Sequence, residues 1–299
     1  LKLLNFGSLN IDYVYSLDHL VTPGETISSK GLEIYCGGKG LNQSVALAKA
    51  GAKVYHAGKI GSDGDILLET LKSVGVNVDF VLIDNLQSGH AMIQVDDLGQ
   101  NSIILYKGAN HRITESEIDG VLQEFEAGDI LLLQNEINNI SYIMRQAHRR
   151  GMRIFINPAP MNDEVLDYPL ELVSCFIVNE IESYQLTDEK VPELAAEKII
   201  ERYPNACCLV TLGSEGAIYK DSVQSFFQPV FKTQVVDTTS AGDTFTGYFI
   251  ACIINSMTPN IACRTAAMAS SICVSRKGAA VSVPYADEVL GKLTMESAE

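Results

Sequence analysis

The sequence predicts an α/β fold: a doubly wound, mostly parallel sheet flanked by helices, accompanied by a second, smaller β-sheet. Three observations carry this. Short apolar runs of strand length alternate with stretches of helical periodicity. The helical stretches stop at glycine, as at Gly51, Gly75 and Gly151. Two segments, residues 10–36 and 88–106, break that rhythm and read as short strands.

Buried parallel strands are expected at LLNFGS (3–8), VYHAG (54–58), DILLLQ (129–134), RIFINP (153–158), CFIVN (175–179) and CCLVTLG (207–213). Helices are expected over LNQSVALAKAG (41–51), ILLETLKSVG (66–75) and ISYIMRQAHRRG (140–151), and another opens at GDTFTGYFIACII (242–254). Strand–helix–strand repeats of this kind build parallel crossovers with helices on both faces. The first irregular segment holds IDYVYSLD and ETISSKGLEIYC. The second holds SGHAMIQVDD, LGQ and NSIILY, a hairpin with Gly99 in its turn. Four short strands inserted in an α/β chain predict a small separate sheet. Pattern alone leaves it either an extra edge sheet or a cover over a site.

Charge and cysteine usage narrow the function classes. A net charge of −15 works against nonspecific binding to nucleic acid or an anionic membrane. Small anionic ligands stay open, because a few local donors overrule the distant field. The seven cysteines (Cys36, Cys175, Cys207, Cys208, Cys252, Cys263 and Cys273) form no CxxC pair and mostly lie in apolar runs. Free thiols in a reducing cytosol are expected. The start LKLLNFGSLN lacks a leader layout, and no apolar run reaches the ~18 residues of a membrane span, so a cytoplasmic location is expected. Leu1 is not a usual initiator, and the native start is expected to differ. The histidines are scattered without HExxH, and GxSxG is absent, which weakens zinc and Ser-His-Asp hydrolysis.

The stretch GGKGLNQ (37–43) lets backbone approach a ligand closely, and the helix after it is expected to present free N–H groups. It is neither a P-loop nor a dinucleotide fingerprint, since Gln43 stands where a third glycine is needed. A tight strand-to-helix turn is the other reading. Polar residues gather where strands end: Asp12 after the first strand, then Glu136, Asn157, Asn179 with Glu182, and Thr211 through Ser214. Ligands of open α/β sheets sit at such carboxyl ends. Each residue alone also reads as a turn or cap, and Asn179 with Glu182 fits a capping box.

The stretch VVDTTSAGDTFTG (235–247) places Asp243 in the first turn of an apolar helix, behind Ala241 and Gly242. Outward N–H groups at 241–243 would make an anion hole, with a carboxylate beside it to accept a proton. Ordinary capping by Ser240 or Asp243 is the other reading, and the stretch by itself leaves both open.

Taken together, these residues resemble the ribokinase family of sugar kinases, the PfkB-type carbohydrate kinases. The resemblance spans nearly the whole chain, through NID (10–12), TPGET (22–26), GGKGLNQ (37–43), NPAP (157–160), NEIE (179–182), TLGSEG (211–216), DTTSAGDTFTG (237–247) and RKGAAVSVP (276–284), in family order. It implies a ribokinase-like fold with a core of 1–9, 37–87 and 107–299. The β-sheet lid would comprise 10–36 and 88–106 and also form a homodimer interface. It implies sugar binding by Asp12, Gly38, Lys39, Asn42 and Glu136, and a catalytic base at Asp243 with Ala241 and Gly242 in the anion hole. Asn179 and Glu182 would organise Mg²⁺ and phosphate through water. Thr211, Gly213 and Ser214 would form the ATP-side loop. A monovalent cation such as K⁺ would lie at Asp237, Thr239, Cys273, Arg276, Gly278 and Ser282, several through backbone carbonyls.

The expected reaction is ATP-dependent phosphorylation of the 5-hydroxyl of D-ribose. Fructose, 2-keto-3-deoxygluconate or a nucleoside are alternatives within the family, and a catalytically silent sugar-binding or regulatory protein on the same fold is an alternative of another class. Two departures bear on the sugar or the lid rather than the transfer. The family's GxDxxG element is Gly61-Ser62-Asp63-Gly64-Asp65-Ile66, without its final glycine, and YKGANHR (106–112) carries Lys107 at a variable place.

Overall fold

The computed structural model describes residues 1–296. The chain opens with β1 (Leu3–Phe6), β2 (Asn10–Ser16), β3 (Gly31–Gly37), α1 (Lys39–Lys49), β4 (Val54–Gly61), α2 (Asp65–Ser73), β5 (Asn77–Asp84), β6 (Gly89–Val95) and β7 (Asn101–Tyr106). It continues with α3 (Glu115–Leu122), β8 (Ile130–Gln134), α4 (Ile140–Arg149), β9 (Arg153–Asn157), β10 (Val173–Asn179), α5 (Glu180–Thr187), α6 (Pro192–Arg202) and β11 (Cys207–Thr211). Last come β12 (Gly216–Lys220), β13 (Ser225–Pro229), α7 (Ala241–Ile254), α8 (Pro259–Cys273) and α9 (Ala286–Glu296). Residues 297–299 of the expected core span lie outside the described residues.

The larger sheet has nine strands in the order β13-β12-β11-β10-β9-β8-β1-β4-β5. All its pairs are parallel except β11–β12 and β12–β13. Strand alternation divides the apolar side chains between two cores, one on each face: Leu3 and Leu132 join one, Leu4, Leu131 and Leu133 the other. The continuous run Ile130–Gln134 is buried along its whole length, as a central parallel strand demands. Gly51, Gly75 and Gly151 follow their helices at positive φ, so the expected stops are observed.

The sequence pattern missed β5, β12 and β13. The reason is physical: β5 and β13 are half-exposed strands at the two edges of the sheet, without a continuous apolar run. The antiparallel additions also make the sheet mixed at that edge.

The second sheet has the order β3-β2-β6-β7, built from the two irregular segments, and forms the lid. The β6–β7 hairpin turns at Gly99, whose N–H donates to the Asp96 carbonyl at 3.0 Å. Asp12 lies inside β2, paired with Tyr35 and Ala91, within the segment expected to form the lid.

The GSDGDI element has a visible task. Asp63 Oδ1 accepts from the Ser88 amide and hydroxyl at 2.8 and 2.7 Å, and the Gly61 amide donates to the same hydroxyl at 2.9 Å. These bonds fasten the foot of β6 to the body. Among the described residues no helix is long and apolar enough to cross a membrane.

Candidate active site

β1 lies between β8 and β4, and the chain proceeds outward from it in both directions. That arrangement makes the β1–β8 junction a topological switch point, where a crevice opens at the carboxyl ends. Two helix N-termini meet there. They come together because α1 and α7 pack unusually closely: a Cβ added at Gly247 would stand 2.4 Å from the Ala46 Cβ and 2.8 Å from the Leu47 amide nitrogen.

The start of α1 departs from expectation. Its first-turn amides are not free. Lys39 N donates to Glu136 Oε2 at 2.8 Å, Gly40 N to Ser8 Oγ at 3.2 Å, and Leu41 N to the Ser8 carbonyl at 3.0 Å. Ser8 Oγ in turn donates to the same Glu136 oxygen. These bonds lock the loop after β1, the α1 start and Glu136 into one unit. Burial pushes the Glu136 carboxyl above its usual range, with the Ser8 and Lys39 hydrogen bonds pulling the other way.

The start of α7 is open instead. Ser240 sits in the left-handed region (φ 63°) and its side chain does not cap the helix. The Ala241 amide turns back to the Thr238 carbonyl at 3.2 Å, which corrects its expected outward direction. The Gly242 and Asp243 amides meet no acceptor among the described residues. Capping by Ser240 or Asp243 is therefore not what this turn does. A Cβ built on Gly242 would meet nothing within 4 Å apart from its chain neighbours and its own helix backbone. The buried Asp243 carboxylate is held from behind, with Oδ2 accepting from Asn42 Nδ2 at 3.2 Å and Oδ1 from Gln43 Nε2 at 2.9 Å. Asn42, expected on the sugar, thus gives one N–H to Asp243, and its buried Oδ1 has no partner among the described residues.

Asp12 reaches toward this unit from the lid. Burial raises its pKa to about 7, and the charge of Glu136 adds to the rise. The carboxylate occupies the place where a side chain at Gly37 would go, 2.0 Å from a built Cβ. Lys39 is half-buried. Burial works against its charge, but the carboxylates of Asp243, Glu136 and Glu182 outweigh that and hold its pKa above the ordinary value. A cavity of about 90 Å³ opens beside Glu136, with Asn10 and Leu105 of the lid and Asn110 and Asn135 of the body in its walls.

Asn179 and Glu182 form the expected capping box of α5, with Glu182 N donating to Asn179 Oδ1 at 2.8 Å and Asn179 N to Glu182 Oε2 at 3.0 Å. Burial raises the Glu182 carboxyl, opposed by its bond from Asn179 and by Lys39. Thr211 stands beside Asn179 in the β10–β11 register, and Gly213 and Ser214 form the turn into β12.

Behind the α7 turn, Asp237 accepts from the Thr239 and Gly278 amides, both at 2.9 Å. Burial would raise its pKa, but these bonds hold it below the usual carboxylate value. Cys273 Sγ contacts Ser282 Oγ at 3.1 Å and the Thr239 carbonyl at 3.8 Å. The Arg276 guanidinium is paired with Glu288 rather than with Asp237.

The sequence matches the family model for pfkB family carbohydrate kinases over residues 1–286. The chain belongs to the PfkB family. It is 32% identical to a ribokinase of Haemophilus influenzae over 296 residues, covering 95% of each chain. It is 30% identical to a deoxyribokinase of Salmonella typhi over 293 residues, covering 94% of this chain and 95% of that one. The structure superposes on an Arabidopsis thaliana ribokinase complexed with ribose and ATP with a TM-score of 0.86, at 32% identity and 98% coverage of both chains. The protein is therefore an ATP-dependent sugar or nucleoside kinase of the ribokinase type.

The donor sets of this PfkB kinase fit its family's ions in different ways. Among the described residues no group of three or more His, Cys, Asp or Glu is arranged to hold a metal. Both Glu182 oxygens are engaged by Asn179, which suits contact with a nucleotide-borne Mg²⁺ through water rather than direct ligation. The turn at Asp237 holds a carboxylate, each oxygen of which accepts one backbone amide, and the Thr239 carbonyl, hard oxygens of the kind that suit a monovalent cation.

Sequence reasoning missed Ser8, Gln43 and Asn110 as site residues. Asn110 holds the foot of the lid, accepting from Leu9 N at 3.0 Å and donating to Asn10 Oδ1 at 2.7 Å. The signal was present: Gln43 lies in GGKGLNQ and Asn110 in YKGANHR.

Proposed function

We propose that this kinase transfers the γ-phosphoryl group of ATP to the primary 5-hydroxyl of D-ribose. The observation that carries the chemistry is Asp243, a buried carboxylate gripped from behind by two carboxamides at the mouth of an uncapped helix. Its carboxylate takes the proton of the 5-hydroxyl. The hydroxyl oxygen forms a bond to the γ-phosphorus as the bond to the β-phosphate oxygen breaks, and ADP leaves. The Gly242 and Asp243 amides receive the charge on the transferred group. Ala241 contributes less, because its amide already has an acceptor.

Asp12, Gly38, Lys39, Asn42 and Glu136 form the sugar side. Asn179, Glu182, Thr211, Gly213 and Ser214 form the nucleotide side. Mg²⁺ bound with ATP supplies neutralisation of phosphate charge. Asp237, Thr239, Cys273, Arg276, Gly278 and Ser282 would hold a K⁺ ion that adds positive potential behind the same turn.

Ribose as acceptor is supported by GGKGLNQ, NPAP and RKGA and by the ribokinase relatives. A second reading, 2-deoxyribose, is favoured by the deoxyribokinase relative. Measuring kcat/KM for ribose, deoxyribose, fructose, 2-keto-3-deoxygluconate and adenosine, with and without K⁺, decides between them. Ribose is expected to lead, and a lead by any other acceptor contradicts the proposal.

Residues 10–36 and 88–106 act, in this proposal, as a lid that excludes water during transfer. The lid also supports a homodimer. Ile34, Met92 and Ile104 lie in one cross-strand row with Tyr13 and are 50%, 44% and 62% exposed. Sedimentation at assay concentration should give a dimer mass. A monomer mass contradicts it. The reaction's substrates are those of the cytoplasm, where the protein is placed by the same proposal.

A further inference from the structure

Gln43 is fully buried, and the reading above gives it no task beyond its contact with Asp243. Its Nε2 donates to Asp243 Oδ1 at 2.9 Å and to Asn157 Oδ1 at 3.0 Å, while its Oε1 accepts from Gln134 Nε2 at 2.6 Å. The chain of bonds goes on. Gln134 Nε2 also donates to Asn5 Oδ1 at 3.0 Å, Asn5 Nδ2 donates to Ser44 Oγ at 2.8 Å, and Ser44 meets His56 Nδ1 at 2.8 Å.

The direction of this chain is fixed. Asn5 Nδ2 also donates to the Gly40 carbonyl at 2.8 Å, and a backbone carbonyl can only accept, so the orientation of the Asn5 carboxamide is set. Asn5 Oδ1 therefore faces Gln134 and accepts from it, and the same Gln134 Nε2 must offer N–H to Gln43. If the Gln43 carboxamide turned over, its oxygen would face the oxygens of Asp243 and Asn157, and its NH₂ would face that of Gln134. A low-dielectric interior makes each such mismatch costly. The carboxamide has one orientation, and it points a donor at Asp243.

We propose that Gln43 is the positioning residue for Asp243, holding one carboxylate oxygen so that the other lone pairs stay aimed at the acceptor hydroxyl, with Gln134 as the lock on Gln43. This rests on the reading of Asp243 as the base. A general base acts only when its geometry is held, and small misplacements cost rate rather than binding. A purely structural Gln43, satisfying buried polar groups, would affect stability alone.

The test is a set of variants, Gln43→Met, Gln134→Met and Asp243→Asn, with each methionine variant also combined with Asp243→Asn. Folding is checked by thermal melts and rates are measured with ribose or the best acceptor of the panel. Gln43→Met should lower kcat by about 10–100-fold with both KM values within about twofold. Gln134→Met, which touches neither Asp243 nor any proposed ligand residue, should lower kcat by a smaller factor. In the Asp243→Asn background Gln43→Met should add no further loss. Folded Gln43→Met with wild-type kcat, a loss confined to KM, or a full multiplicative loss on top of Asp243→Asn overturns the proposal. If Gln43→Met does not fold, Gln134→Met alone and in the Asp243→Asn background is judged by the same outcomes: a kcat loss that vanishes in that background supports the proposal, and wild-type kcat overturns it. Wild-type kcat in Asp243→Asn itself overturns the reading of Asp243, and the role of Gln43 falls with it.

Discussion

Asp12 in strand β2 of the lid and Glu136 in the loop after β8 are near enough for their charges to interact, and Glu136 adds to the burial that raises Asp12 to about 7. As pH falls through about 7, Asp12 takes up a proton and loses its charge and part of its capacity to accept from sugar hydroxyls. The sugar KM should therefore rise below that pH, and an initial-rate series from about pH 5.5 to 8.5 checks it. A flat sugar KM across the series contradicts the assignment.

The same shift has a stability consequence of known sign. With its pKa raised above the unfolded value of 3.8, Asp12 contributes stability that is present at low pH and lost as pH climbs from 3.8 through about 7. Asp12→Asn should melt higher than the parent at about pH 8, and the gap should shrink toward about pH 5. Sugar binding should be lost in the same variant. A lower melting temperature at the higher pH would show that Asp12 is not a strained ligand residue.

Gly247 sets the distance between α1 and α7. Gly247→Val would drive a side chain into Ala46 and the Leu47 backbone. Overpacking of this kind costs about 1–3 kcal/mol. Because Asn42 and Gln43 reach Asp243 from α1, kcat should fall as well as stability. Thermal melts and kcat measured together check this, and a stable variant with unchanged kcat contradicts it.

Asp237 joins the turn before α7 to the RKGA segment through the Thr239 and Gly278 amides. Asp237→Asn should flatten the dependence of rate on KCl. It should also lose any rise in melting temperature that KCl gives the parent. A retained KCl response in both readouts counts against this turn as the cation site.

Much of the larger sheet was legible because buried parallel strands demand unbroken apolar runs, as Ile130–Leu133 and Cys208–Val210 show. The lid strands were legible as breaks in helical rhythm. Edge strands such as β13, where exposure alternates, gave no such mark. In the candidate site, motif residues were found but their partners were not. Gln43 bonds to side chains 91, 114 and 200 positions away, and no local spacing encodes that. The amides of α1 could not be foreseen as occupied, since Ser8 and Glu136 reach them only after folding. The opposite held at α7, where Ser240 invites a capping reading that its left-handed backbone does not fulfil.

The central claim is that Asp243 removes the proton of the acceptor hydroxyl. Measuring kcat of Asp243→Asn with ribose, at saturating ATP and with folding verified, tests it most directly. A fall of about 10²–10⁴ or more is expected, with the melting temperature near that of the parent. A turnover close to the parent's would contradict it.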